Sequence, residues 1–115
     1  MRKLKPVTPG ELLLEEFLRP MRISQYRLAK EISVSAQRIA EIVAGRRGVT
    51  ADTDLRLCRF FGLSNGYWLR AQAAYDTEVA EVAMGAKLAK IKPWLSTNAA
   101  QPDAPLSRIL RQERR

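Results

Sequence analysis

The chain has 115 residues, room for one domain of ordinary size that buries roughly two-thirds of its unfolded surface. With 46% hydrophobic and 28% charged residues it has the composition of a globular protein, and no apolar run reaches the roughly 18 residues a membrane span needs. Twenty Lys and Arg against twelve Asp and Glu give a formal charge of +8, which favours a polyanionic partner, while the absence of histidine removes the commonest general base and metal ligand.

Met1 to Lys5 is followed by no signal-peptide core, so the expected location is the cytoplasm. The single cysteine, Cys58, has no partner for an internal disulfide and lies in an apolar helical pattern, as a small core residue would. No catalytic constellation, no metal-ligand cluster and no cofactor-binding glycine loop stands out, so no enzyme activity and no cofactor are expected.

The first helix opens at Thr8-Pro9-Gly10-Glu11, a capping box with proline at the first helical position. Leu13, Leu14, Phe17 and Leu18 continue it at helical spacing, and Arg19-Pro20 is expected to end it, because proline pushes its predecessor out of the helical region. Ser24 is the second N-cap, opening Gln25 to Ile32. Ser35 is the third, opening Ala36 to Ala44, with Gly45 as a left-handed stop. A fourth helix fits Ala51 to Phe61, capped near Thr50 and closed by Gly62, and a fifth starts after Ser64 and runs through Trp68 to about Tyr75. Asp76 is expected to cap a sixth, about Thr77 to Ile91, whose Val79, Val82, Ala83, Ala86 and Ala89 form an apolar stripe.

After Pro93, residues Leu95 to Pro105 are polar and anchor-poor, which predicts a flexible tail, and Leu106 to Arg115 has the pattern of a short basic helix. With no period-two pattern the expected fold is all-α: five to six helices in a lambda-repressor-like helix-turn-helix arrangement over residues 1–92, followed by a basic tail over 93–115.

Two short helices separated by Ser33 and Val34 are the mark of a helix-turn-helix. Ala29 permits close approach, Ile32, Val34, Ile39 and Ile42 point into the wedge, and Leu28 packs beneath. The outer positions of the second helix, Ser35, Ala36, Gln37, Arg38 and Glu41, are candidates for reading base edges. Gln37 suits adenine, Ala36 a thymine methyl, Ser35 either base type, Glu41 cytosine N4, and Arg38 guanine or a phosphate. Ser24, Gln25, Arg46, Arg47 and Thr50 are candidate phosphate contacts, with Gly45 and Gly48 shaping the arginine loop. The stripe of the last helix and the aromatic face before it, comprising Trp68, Tyr75, Val79, Val82 and Ala86, suggest a dimer interface.

Residues 6–81 resemble the HigA antitoxins, helix-turn-helix proteins of the Xre/Cro class. The specific parts are Thr8-Pro9-Gly10-Glu11, "SQYRLAK" from Ser24, "GRRGVTADT" from Gly45 and "YWLRAQAAYD" from Tyr67. The resemblance implies an inhibitor of a HigB-like messenger-RNA endonuclease that represses the promoter it shares with that toxin. It places Gln25 and Arg46 or Arg47 on phosphates, and Ser35, Ala36, Gln37 and Arg38 at base edges. A homodimer on an inverted-repeat operator is the expected assembly, with a stand-alone repressor or a partner-binding adaptor as alternatives. One departure stands in the turn, where Ser33 replaces the usual glycine and is expected to take a positive φ.

Overall fold

The computed structural model describes residues 6–94, and the expected flexible tail from Leu95 and basic helix Leu106 to Arg115 lie outside them. The described residues are helical with no strand. They fall into two compact units divided after Ala83.

The first unit begins with α1, built from Pro9–Leu12, a π-helical stretch Leu13–Leu18 and a closing turn Arg19–Met21. Both halves of the capping box form: the Glu11 amide donates to Thr8 Oγ1 at 3.1 Å and the Thr8 amide to Glu11 Oε1 at 3.2 Å. The expected stop at Arg19-Pro20 does not occur, and Arg19 keeps helical angles. Its amide instead reaches five residues back to Leu14 O. A wider register is one way a helix relieves the clash between a proline ring and the carbonyl one turn earlier, and no donor is lost because proline has none to supply. The helix ends one turn later at Arg22, in the left-handed conformation with φ 59.

The remaining helices of this unit are α2 (Gln25–Glu31), α3 (Ala36–Val43), α4 (Ala51–Phe61) and α5 (Tyr67–Ala83). Ser24, Ser35 and Thr50 each accept a backbone N–H two or three residues into the helix they open, as their position predicts. The endings share one motif: at Arg22, Ser33, Gly45 and Gly62 the chain turns left-handed, and the next residue's N–H bonds back to the carbonyl five residues earlier. Ser33 takes φ 59, as its place in the turn predicts.

Asp76 opens no new helix. Its carboxylate accepts from Gln72 Nε2 at 3.0 Å, one turn back along α5, which is a pairing within a helix and leaves the backbone continuous to Ala83. In the second unit α6 covers Gly85–Ala89.

The core of the first unit joins Leu13 and Leu18 of α1, Leu28 and Ala29 of α2, Ile39 and Ile42 of α3, Leu57 and Cys58 of α4, and Trp68 of α5. Phe17 packs 5.0 Å from the Trp68 ring and 4.8 Å from Phe61, tying α1 to α4 and α5. Trp68 is fully buried, so it belongs to this core and not to an outer dimer surface. No helix among the described residues is long and apolar enough to cross a membrane.

Two contacts set where these helices sit. Gly10 is buried against the last turn of α3, and a Cβ there would fall 1.8 Å from the Ile42 carbonyl oxygen. The Asp54 carboxylate, buried in α4, accepts from the backbone N–H groups of Gly66 at 2.7 Å, Trp68 at 2.8 Å and Leu69 at 3.3 Å. It thereby caps α5 from a neighbouring helix, placing a negative charge at the positive end of the α5 dipole.

Candidate nucleic-acid interface

Helices α2 and α3 meet at a turn whose geometry is closed by an arginine from α4. Arg56 Nη1 donates to the carbonyls of Ile32 at 2.7 Å and Ser33 at 3.3 Å, satisfying acceptors at the end of α2 that have no helical donor. Its Nε donates to Asp52 Oδ1 at 2.7 Å, and that oxygen also accepts from Arg38 Nη1 at 3.2 Å. The Arg56 hydrogen bond holds the Asp52 carboxyl below its ordinary range, with Arg38 adding to the effect. The position of α3 is therefore set from inside by Ile39 and Ile42 and from the side by an Arg38-Asp52-Arg56 chain.

Each expected base-reading residue can now be placed. Ser35 caps α3, its Oγ accepting from the Arg38 amide at 3.0 Å while its own O–H stays available. Ala36, Gln37 and Ala40 are exposed on the outer face. Arg38 differs from the expectation: its guanidinium is turned to the start of α4, bonded to Asp52 and to Thr53 Oγ1 at 3.3 Å, and its side chain is 33% exposed. Glu41 is half-buried and accepts from Gln37 Nε2 at 3.0 Å and from Arg47 Nε at 2.8 Å.

Among the expected phosphate contacts, Ser24 and Thr50 are the caps of α2 and α4, accepting from Arg27 N at 3.0 Å and Thr53 N at 3.4 Å. A serine or threonine hydroxyl used this way can still donate its proton outward. Gln25 is half-buried at the first position of α2. Arg46 and Arg47 are exposed in the loop after Gly45, and of the two only Arg47 is ion-paired among the described residues. Tyr75 is half-buried and Val79 and Val82 are exposed on α5, while Ala86 is exposed on α6.

Arg56, Asp52 and Asp54 are missing from the sequence-derived sites. Asp52 and Arg56 carry a local signal, an acid and a base four residues apart at a helix start. The carbonyls that Arg56 closes lie more than twenty residues away, and Asp54 likewise serves a distant helix, so neither role has a local mark.

The Arg47 hydrogen bond is the largest of the influences that hold Glu41 below its ordinary value of 4.5, with Gln37 next. A depressed carboxyl contributes stability that is complete above its unfolded value and is lost as pH falls through its folded value. With Glu41 and Asp52 both depressed and no histidine in the chain, neither carboxylate changes charge from about pH 7 down to about pH 5.5, so the affinity of this surface for a nucleic acid at fixed salt is expected to stay flat over that range. Fluorescence anisotropy across that range checks this, and a steep change would place an unrecognised titrating group at the interface.

A short helix pair with a left-handed turn, an outward second helix and a following arginine loop define a helix-turn-helix DNA-binding protein, and the helix-turn-helix family model matches residues 14–68. The chain is 51% identical to virulence-associated protein I of Dichelobacter nodosus over 69% of this chain and 73% of that protein. It is 38% identical to antitoxin HigA-1 of Vibrio cholerae, over 66% of this chain and 73% of that one. The structure of Pseudomonas aeruginosa antitoxin HigA with the higBA promoter superposes with a TM-score of 0.73 at 38% identity, covering 79% of this chain and 100% of that one. The chain belongs to the HigA-type antitoxin family.

Proposed function

We propose that this protein neutralises a HigB-like messenger-RNA endonuclease and, as a homodimer in the cytoplasm, represses its own operon by binding an inverted repeat. The observation that carries the DNA part is the outer face of α3, where Ala36, Gln37 and Ala40 are exposed beside the Arg46-Arg47 loop. The similar Pseudomonas aeruginosa HigA, solved with the higBA promoter, supports DNA binding as such.

One α3 spans only a few base pairs, so two copies reading half-sites about 34 Å apart supply the selectivity. The exposed Val79 and Val82 of α5, the latter 80% exposed, with Tyr75, and Ala86 of α6, are the surfaces we assign to self-association. Ser35, Ala36 and Gln37 are assigned to bases, and Ser24, Gln25, Thr50 and Arg46 to phosphates.

Two variants separate these roles. Gln37→Ala is expected to relax preference at one base pair per half-site by about 1–3 kcal/mol, while Arg46→Ala weakens binding to all sequences and lowers the salt dependence by about one phosphate contact. Gel shifts with the chain's own upstream DNA, repeated at several salt concentrations, read both effects. Sedimentation tests the dimer, and a monomer at micromolar concentration would remove it. Pull-down of the tagged chain from its native cells tests toxin binding: a stoichiometric small basic protein encoded next door supports it, and self-association alone points to a stand-alone repressor.

A further inference from the structure

Glu41 sits one helical turn from Gln37 on α3, and both of its oxygens are engaged. Oε2 accepts from Gln37 Nε2 at 3.0 Å and Oε1 from Arg47 Nε at 2.8 Å, with the Glu41 side chain 24% exposed. A carboxylate on a surface facing phosphates is repelled unless a cation balances it, and Arg47 is in place to do so.

An ionised carboxylate only accepts hydrogen bonds, so only the NH2 end of an amide can face it. Turning the Gln37 amide over would set its Oε1 against the Glu41 oxygen. The amide is thus held in one orientation, with Nε2 spending one hydrogen on Glu41 and leaving its second hydrogen and Oε1 for another partner. One donor beside one acceptor complements the N7 and N6 amine of adenine in the major groove, whereas guanine presents two acceptors there and calls for two donors.

We infer that Glu41 is a positioning residue for base recognition: it fixes the Gln37 amide in the adenine-reading orientation, with Arg47 as its counter-ion. Glu41 then contacts no cytosine itself. This rests on the proposed DNA-reading role of α3.

The test is selection of sites from a randomised double-stranded DNA pool by the full chain at one salt concentration, followed by competition between duplexes that differ at a single base pair. Wild type is expected to prefer adenine over guanine at one position in each half-site. Glu41→Gln offers the amide a partner that can donate or accept, and Glu41→Asp keeps the charge but withdraws it by one methylene. Each is expected to lower that one preference about tenfold while the other positions hold theirs. Gln37→Ala loses preference at the same position, and adding Glu41→Gln to it produces no further loss. Circular dichroism shows whether all variants keep the fold, and a general structural role would not confine the change to one base pair.

If Glu41→Gln and Glu41→Asp leave that position untouched, or shift a different base pair, the positioning role is wrong while the DNA-reading role of α3 stands. A wild-type chain that selects no sequence overturns the DNA-reading role, and this inference with it.

Discussion

Replacing Asp54 by alanine is expected to lower the thermal midpoint by about 20 °C, or to unfold the domain outright. Three backbone N–H groups at the start of α5 lose their acceptor together, and all three point at a carboxylate that is almost wholly buried. A buried donor left without a partner costs about 1–3 kcal/mol, so the loss is about 4 kcal/mol even with partial relaxation. That is a large share of the total for a domain whose stability is of order 5–15 kcal/mol. Asp54→Asn keeps one oxygen for Trp68 and Leu69 but turns a second N–H toward Gly66, and about half the loss is expected. Thermal melts followed by circular dichroism decide the matter. A drop of only a few degrees for Asp54→Ala would mean that α5 starts well without help from α4.

Gly10→Ala is expected to destabilise by about 3 kcal/mol, at the upper end for overfilling a packed contact. The added methyl group meets the backbone of α3, 1.8 Å from Ile42 O and 2.8 Å from Val43 Cα, and backbone cannot swing aside as a flexible side chain can. Helix α1 must then back away from α3. Because α3 is the proposed reading helix, DNA affinity should fall as well, even at temperatures where the variant remains folded. Gly85→Ala is the matched control: its added methyl meets nothing within 4 Å, and its melt should stay within about 0.5 kcal/mol of wild type. Equal behaviour of the two variants would contradict the close crossing of α1 and α3.

The caps Thr8, Ser24, Ser35 and Thr50, the stops Gly45 and Gly62 and the left-handed Ser33 were all legible, since each is decided by a few neighbouring residues. Pro20 misleads because its effect depends on the helical register of the six residues before it, a collective property of Leu13–Leu18. Asp76 misleads because an acid one turn after Gln72 has a partner inside the helix, so its capping chemistry is never called upon. Trp68 fits core and interface equally well in a helical pattern, and only the packing of Phe17 and Phe61 around it decides. Arg56 and Asp54 act on elements that sequence separation hides. Helical periodicity is enough to define the outer face of α3, yet the turning of Arg38 toward α4 depends on Asp52, which periodicity does not see.

The division of labour within α3 also bears on how such proteins change over generations. Ile39 and Ile42 anchor the helix, Arg38 braces it and Ser35 starts it, whereas Ala36, Gln37 and Ala40 face outward without supporting the core. Mutations at the outer three are nearly silent for folding. On the proposed reading role of α3, a gene duplicate can therefore drift to a new DNA site one outward side chain at a time, each intermediate remaining a folded protein, until two copies in one cell no longer compete for the same sequence.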